Sequence, residues 1–159
     1  MTDALYSSEL LRLAAEIPHI GRLDRPSGSA RRVSRLCGSV VEIDLRIERD
    51  RIDDIGLEVK ACALGQASAS VLGRHAIGAS LDDIEQARDD LAAMLKGGEA
   101  PKGRFADLSA LEGTRAYPAR HASIRLAFEA AADAFHAALN TDDTTVTTTT
   151  VSGTATGQG

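Results

Sequence analysis

The chain has two cysteines, Cys37 and Cys62, and they are its strongest candidates for chemistry. A deprotonated cysteine is a nucleophile, a metal ligand and an acceptor of sulfur, whereas a buried free cysteine is often only a small apolar side chain. Two thiols do not complete a tetrahedral metal site, which takes four ligands, and the sequence has neither a CxxC nor an HExxH motif. The cysteines alone are therefore compatible with a metal or sulfur site and also with two side chains that only fill the core.

Cys62 immediately precedes a run of small residues that is predicted to be helical over residues 64–77. Backbone N–H groups at the start of a helix, together with the helix dipole, favour a thiolate and lower its pKa. The small residues, which include Ala63, Gly65 and Ala67, would let this helix lie close against a neighbour. The sequence therefore places one thiol where it can ionise, beside a closely packed support.

A predicted β-hairpin over residues 40–61 determines where the two thiols lie. Apolar and polar residues alternate on both sides of the polar segment Arg49-Asp50-Arg51, which is typical of two strands with one buried face. We expect an irregular or bulged turn at 48–52, because Ile52 breaks the alternation. The predicted buried face consists of Val41, Ile43, Leu45, Ile47, Ile55, Leu57, Val59 and Ala61.

The register of this hairpin brings the cysteines to one end of the sheet. Pairing Val41 with Ala61 places both apolar sets on the same face and puts Val40 opposite Cys62. Cys37 precedes Val40 by three residues. At ~3.3 Å per residue, both thiols would lie at the open end of the hairpin, within roughly 10 Å of each other.

The predicted helices cover one face of this sheet. Apolar spacing predicts a helix over 5–17, and Ser80 is a good N-cap for a helix over 81–96, with Glu85 near the capping-box position. Pro118 opens the last helix, whose apolar stripe consists of Ile124, Phe128, Ala131, Phe135 and Ala138. The remaining predicted elements are a loop at 18–31, a possible short third strand at 31–36 and a turn of helix at 107–112.

The fold class predicted by these elements is α+β, with a small antiparallel sheet of two or three strands covered by helices. A length of 159 residues suggests one domain, which we place at residues 1–140. The Thr-rich segment 141–159 lacks the apolar residues for a packed face and is predicted to be a disordered tail.

Composition excludes several classes of function. The net charge of −5 and the 3% aromatic content argue against nucleic-acid binding, and the acidic balance gives no reason to expect a membrane surface as partner. The N-terminal residues lack the pattern of a secretory signal, so we expect a cytoplasmic protein without a structural disulfide. The sequence contains no Walker A motif, no dinucleotide fingerprint and no convincing Ser/His/Asp order.

Several segments, in this order and spacing, resemble the U-type iron–sulfur cluster assembly scaffolds, the NifU N-terminal, IscU and SufU-like family. The resemblance covers about residues 5–139 and implies a SufU/IscU-like α+β fold. The segments are IPHIGRL at 17–23, LCGSVVEIDLRI at 36–47, KACALGQASASVL at 60–72, MLKGGE at 94–99 and DLSALEGTRAYPAR at 107–120.

In that family, three cysteines and one aspartate hold zinc or a nascent [2Fe–2S] cluster and accept sulfur from a cysteine desulfurase. Carried over by position, the first two cysteines are Cys37 and Cys62, the aspartate falls on Ser39, and the third cysteine falls on Ser123. The resemblance therefore implies a site in which two of four ligands are hydroxyls, which should hold metal weakly. A family segment read by a dedicated chaperone corresponds here to AYPAR at 116–120, so that interaction is not expected.

Other side chains could complete such a site. His121 lies two residues before Ser123, and Asp107 or Glu112 could also approach, although a histidine near a helix start is commonly a solvated surface residue. The metal site predicted from the resemblance thus consists of Cys37, Cys62, Ser39, Ser123 and His121.

The resemblance implies a scaffold or sulfur acceptor in iron–sulfur cluster assembly, with no turnover chemistry of its own. Cys37 would be the sulfur acceptor, the cargo would be iron or a transient [2Fe–2S] cluster, and the partners would be a cysteine desulfurase and downstream apo iron–sulfur proteins. One alternative is an interaction or regulatory module that kept the fold and lost the cluster. Another is a small zinc protein whose site His121 completes.

Overall fold

The computed structural model describes residues 7–151, with side chains through residue 140. After one N-terminal helix, three consecutive strands are followed by three helices. The elements are α1 (Ser8–Ala15), β1 (Gly28–Ser34), β2 (Ser39–Glu48), β3 (Arg51–Lys60), α2 (Ala63–His75), α3 (Leu81–Leu95), 3₁₀ segments at Gly103–Ala116 and Pro118–Arg120, and α4 (His121–Val151). This arrangement confirms the predicted α+β class.

The sheet is antiparallel with the order β1-β2-β3, and α4 packs across β1 and β2. Helices α2 and α3 lie beside α4, so a layer of helices covers one face of the sheet. The apolar stripe predicted for the last helix is fully buried, as are Val41, Ile43 and Leu45 on β2. The side chains marked by alternation in the strands and by four-three spacing in α4 thus pack into one shared core.

The predicted hairpin has the correct buried face but the wrong register. Val41 pairs with Val59 rather than Ala61, and Val40 pairs with Lys60 rather than Cys62. A shift of two residues leaves every side chain on its predicted face, because the side-chain period of a strand is two. Cys62 consequently lies beyond the end of β3, at the start of α2.

The turn explains this error. Arg49 and Asp50 have φ values of 55° and 64°, which is the left-handed geometry of a tight two-residue hairpin turn. Ile52 therefore pairs directly with Ile47, and the irregularity lies one step further on, where Asp53 is an extra residue between the Ile47–Ile52 and Arg46–Asp54 pairs. The irregular or bulged turn expected at 48–52 is thus a regular two-residue turn, and the bulge lies just outside that range, at Asp53.

The helix boundaries differ from the predictions at several points. The capping box of α3 uses Ser80 with Asp83, at the third helical position, rather than Glu85. Pro118 begins a short 3₁₀ turn, and α4 itself starts at His121. Helix α4 extends to Val151, whereas the side chains of 141–151 and all of residues 152–159 lie outside the described part. The division into a domain and a disordered tail stays a prediction.

A buried carboxylate fixes the segment that crosses the outer face of the sheet. Asp44 is 1% exposed and accepts hydrogen bonds from Arg22 Nε at 2.7 Å, the backbone N–H of Leu23 at 3.0 Å and Ser29 Oγ at 2.6 Å. Burial raises the pKa of this carboxyl group, but these donors outweigh burial and lower it below its ordinary value.

We expect Asp44→Asn to lower the free energy of unfolding by about 2 kcal/mol at neutral pH, because the charged acceptor is lost. Since the folded-state pKa is depressed, the stabilisation is present above the unfolded carboxyl pKa and disappears as the pH falls through the folded value. Urea denaturation at pH 7 and at about pH 3 should therefore show the difference from wild type shrinking in acid. Asp24→Asn, at an exposed position, is the control; an equal deficit at both pH values would contradict this account.

Candidate functional site

Cys37 lies in the tight connection between β1 and β2, with its thiol exposed to solvent. The connection reverses direction at Gly38, whose φ of +72° is a conformation that glycine adopts without strain. The thiol donates to the carbonyl oxygen of Ala119, with Sγ and oxygen 3.3 Å apart. The exposed cysteine therefore lies against the segment that leads into α4.

Cys62 is the N-cap residue of α2 and is half-buried. Burial raises the pKa of its thiol, but hydrogen bonds from the backbone N–H groups of Gly65 and Leu64, and from Ser123 and Arg120, outweigh burial and lower it. The predicted effect of the helix start on this thiol is confirmed in direction.

Ser39 and Ser123 form a buried pair beside Cys62. Ser39 is the first residue of β2 and Ser123 lies in the first turn of α4; they are 2% and 1% exposed. Their hydroxyl oxygens are 2.8 Å apart, and Ser123 Oγ is 3.9 Å from Cys62 Sγ. The structure thus brings Ser39, Ser123 and Cys62 into one hydrogen-bonded chain.

Gly65 allows α2 and α4 to approach this closely. A Cβ atom at this position would lie 2.7 Å from Ser123 Oγ and 2.8 Å from Ala61 Cβ, which is too close for either contact. The residues that follow on α2, from Ala67 to Gly73, are all buried. The small side chains after Cys62 therefore place the start of α2 directly against the start of α4.

The remaining predicted ligands are engaged elsewhere. His121 is half-buried and donates from Nε2 to the carbonyl oxygen of Thr114 at 2.9 Å, so a ligand role for its ring would have to use Nδ1. Asp107 pairs with His75 at 3.0 Å, and Glu112 pairs with Arg115 at 3.3 Å.

The donor set does not fit a resident zinc ion. Among the residues that the structure describes, no group of three or more His, Cys, Asp or Glu side chains is placed to hold a metal. The side chains around Cys62 are hydroxyls and an arginine, whereas structural zinc takes four ligands from cysteine, histidine or carboxylate. Any metal held here therefore needs ligands beyond those that the described side chains provide, such as sulfide ions or a partner.

Two features of the site were not predicted from the sequence. Arg120 bonds the Cys62 sulfur and adds a positive charge beside it, although the PAR segment at 118–120 was noted only for its family resemblance. Apolar side chains next in sequence to Cys37 and close in sequence to its contact Ala119 are exposed, with Leu36 at 75% and Tyr117 at 41%. The position of Leu36 next to a predicted functional cysteine was the available signal.

We expect Ser123→Ala to raise the pKa of Cys62, since the substitution removes one hydrogen bond to the sulfur. In a Cys37→Ser background, alkylation of the remaining thiol by iodoacetamide at pH 7 should slow about threefold, and the midpoint of its pH–rate profile should move upward. Ser109→Ala, at an exposed serine, is the matched control. A profile unchanged by Ser123→Ala would show that this hydroxyl does not act on the sulfur.

Within residues 7–151, no helix combines the length and apolar content needed to cross a membrane. Residues 5–123 match the model of a protein family described as the NifU-like N terminal domain. Two curated relatives are each named iron–sulfur cluster assembly scaffold protein IscU. The one from Thermotoga maritima is 25% identical over 73% of this chain and 82% of its own length; the one from Streptococcus pyogenes serotype M1 is 27% identical over 65% and 66%.

Solved structures show the same architecture. The crystal structure of a nitrogen-fixing NifU-like protein (N-terminal) from Brucella abortus superimposes with a TM-score of 0.85 at 45% identity, covering 87% of this chain and 96% of that one. A structure from Fervidobacterium islandicum has a TM-score of 0.76 at 20% identity over 82% and 96% of the two chains, which shows the fold alone.

Proposed function

Because the chain belongs to the NifU-like N-terminal domain family, we propose that it is a scaffold or sulfur acceptor in iron–sulfur cluster assembly. The observation that supports this most directly is that Cys37 contacts Ala119 while Cys62 contacts Arg120 and Ser123. Both thiols thus adjoin one short segment at the start of α4. The names of the two curated relatives support the same role.

In this proposal the two thiols have different tasks. Cys37, exposed on its turn, accepts sulfur and is the first ligand of the cargo. Cys62 is the second ligand, with its thiolate favoured by the start of α2. Ser39, Ser123 and His121 are weak or vestigial ligands, and solvent or a partner completes the coordination of iron or a transient [2Fe–2S] cluster.

The partners in this proposal are a cysteine desulfurase that donates sulfur and apo iron–sulfur proteins that receive the cluster, in the cytoplasm. Leu36, which precedes Cys37, and Tyr117, two residues before Ala119, are exposed and provide apolar surface for such a partner. The chain binds and passes on cargo in this account and carries out no turnover chemistry of its own.

Anaerobic reconstitution with iron and sulfide tests the proposal. The wild-type chain should develop a labile visible chromophore from thiolate–iron charge transfer, and Cys37→Ser should abolish it. Ser109→Ala serves as the control for handling and should match wild type. Identical spectra for wild type and Cys37→Ser would refute the proposal.

The buried Ser39–Ser123 pair favours a second candidate, an interaction or regulatory module that kept the fold and lost the cluster. Because the two hydroxyls satisfy each other at 2.8 Å, this end of the molecule closes without a metal. Such a module would still bind a desulfurase or another assembly factor. Pull-down with both thiols blocked distinguishes the two candidates, since only a scaffold needs free sulfur atoms.

A further inference from the structure

The two cysteines differ in how firmly the fold holds them. Cys62 is half-buried at the N-cap of a helix that packs against α4, and its sulfur lies 3.9 Å from Ser123 Oγ. Cys37 is exposed on the short connection that includes Gly38. One sulfur is therefore fixed by packing, and the other is carried by a solvent-exposed turn.

The surroundings of Cys62 leave Cys37 as its one possible thiol partner within the chain, because the sequence has only two cysteines. The Ser123 hydroxyl lies 3.9 Å from the Cys62 sulfur, and Arg120 also adjoins it. Hydroxyls do not exchange with persulfides under mild conditions, whereas thiolates do. Both sulfurs also contact consecutive residues of one segment, Ala119 and Arg120.

We propose that Cys62 is a resolving thiol, which displaces the sulfur carried by Cys37 as hydrosulfide and leaves a transient Cys37–Cys62 disulfide. This inference rests on the acceptor role given to Cys37 in the proposed function. It assigns the supply of sulfide, in addition to binding, to residues of the chain itself.

Two exchange steps account for all atoms and electrons. First, the Cys37 thiolate attacks the outer sulfur of a donor persulfide; a new S–S bond forms on Cys37, the donor S–S bond breaks, and the donor leaves as a thiolate. Second, the Cys62 thiolate attacks Cys37 Sγ, the Cys37–Cys62 bond forms, and the outer sulfur leaves with the bonding pair as hydrosulfide. The two thiols are oxidised while the carried sulfur is reduced to sulfide, and a dithiol reductant later restores the pair.

The second step requires direct contact between the Cys37 and Cys62 sulfurs. We expect the turn that carries Cys37 to make the necessary movement. A disulfide requires Cβ atoms about 4 Å apart. The start of α2 cannot shift easily, because Gly65 lies tightly against Ser123 and Ala61. The connection at 35–38 is exposed throughout, so Cys37 is the partner that moves. Disulfides of this kind in a reducing compartment are typically transient.

The test treats the reduced full chain anaerobically with inorganic polysulfide, removes the excess, and follows released sulfide and intact mass. Wild type should release about one sulfide per chain and become a monomer with an internal disulfide. Cys62→Ser should keep one additional sulfur on Cys37 and release sulfide at least about tenfold more slowly. Two further variants are compared in the Cys62→Ser background. Ser123→Cys adds a thiol beside position 62, and Ser109→Cys adds one at an exposed site. Only Ser123→Cys should restore the release of sulfide.

The released sulfide and the intact mass each test the resolving role of Cys62. If wild type keeps its persulfide as long as Cys62→Ser does, or if the disulfide joins two chains instead of forming within one, the resolving role is wrong. Formation of the iron–sulfur chromophore alongside either result would show that only this inference fails. Absence of both the chromophore and any sulfur on Cys37 would instead remove the proposed function.

Discussion

The double substitution Ser39→Asp with Ser123→Cys is expected to turn a weak site into one that retains zinc. The two serines are buried 2.8 Å apart beside Cys62, so the new carboxylate and thiolate would be added where a hydroxyl pair now closes the site. Four-ligand structural zinc sites bind with about 10–16 kcal/mol. The chain has two cysteine ligands, and the double variant adds a carboxylate and a third thiolate. We therefore expect the zinc affinity to rise by about a hundredfold or more.

Competition with a chromophoric zinc chelator measures this affinity directly. Ser109→Cys adds a thiol at an exposed position and should leave zinc affinity near the wild-type value. Equal zinc affinities for wild type and the double variant would show that these positions do not surround a common point with the cysteines.

Gly28→Ala is expected to produce the largest loss of stability of any single methyl group added to the sheet. Gly28 begins β1 and lies directly under α4, where a Cβ atom would overlap the backbone of Ala134 and Ala138. Backbone atoms of a helix cannot rotate away as a flexible side chain can, so the helix and the sheet must separate. We expect a loss of about 3 kcal/mol, a large part of the stability of a typical domain.

Thermal and urea unfolding of Gly28→Ala, with Arg31→Ala as control, measure this loss. Arg31 is an exposed residue on the same strand, so its truncation should change stability by no more than about 0.5 kcal/mol. An unfolding midpoint for Gly28→Ala equal to that of wild type would mean that α4 does not pack on β1 at this distance.

The sequence predicted the elements whose pattern is local. The four-three stripe from Ile124 to Ala138 marks the buried side of α4, and alternation marks the buried face of the hairpin. The register was missed because it depends on left-handed φ values at Arg49 and Asp50. Aspartate tolerates this geometry but arginine rarely adopts it, so the pair gives no strong sequence signal for such a turn. A Gly in that turn would have predicted it.

Some features of the candidate site were likewise predictable from local sequence, and others depend on tertiary packing. The effect of the helix start on Cys62 follows from its sequence position, and it was predicted. The family resemblance placed Ser39 and Ser123 in one site with Cys62, but their hydrogen bond, and the contact of Arg120 with Cys62, depend on how β2, α2 and α4 meet. Residues so far apart in the chain are brought together only by tertiary packing, so periodicity and capping rules contain no information about them.

The most direct test of the central claim is the iron and acid-labile sulfide content of the chain purified without oxygen or chelator. If Cys37 and Cys62 together hold cluster cargo, wild type should contain both elements in similar amounts, and Cys37→Ser and Cys62→Ser should each lose them while Ser109→Ala keeps them. Wild-type protein free of iron and sulfide, or variants that retain both, would contradict the account.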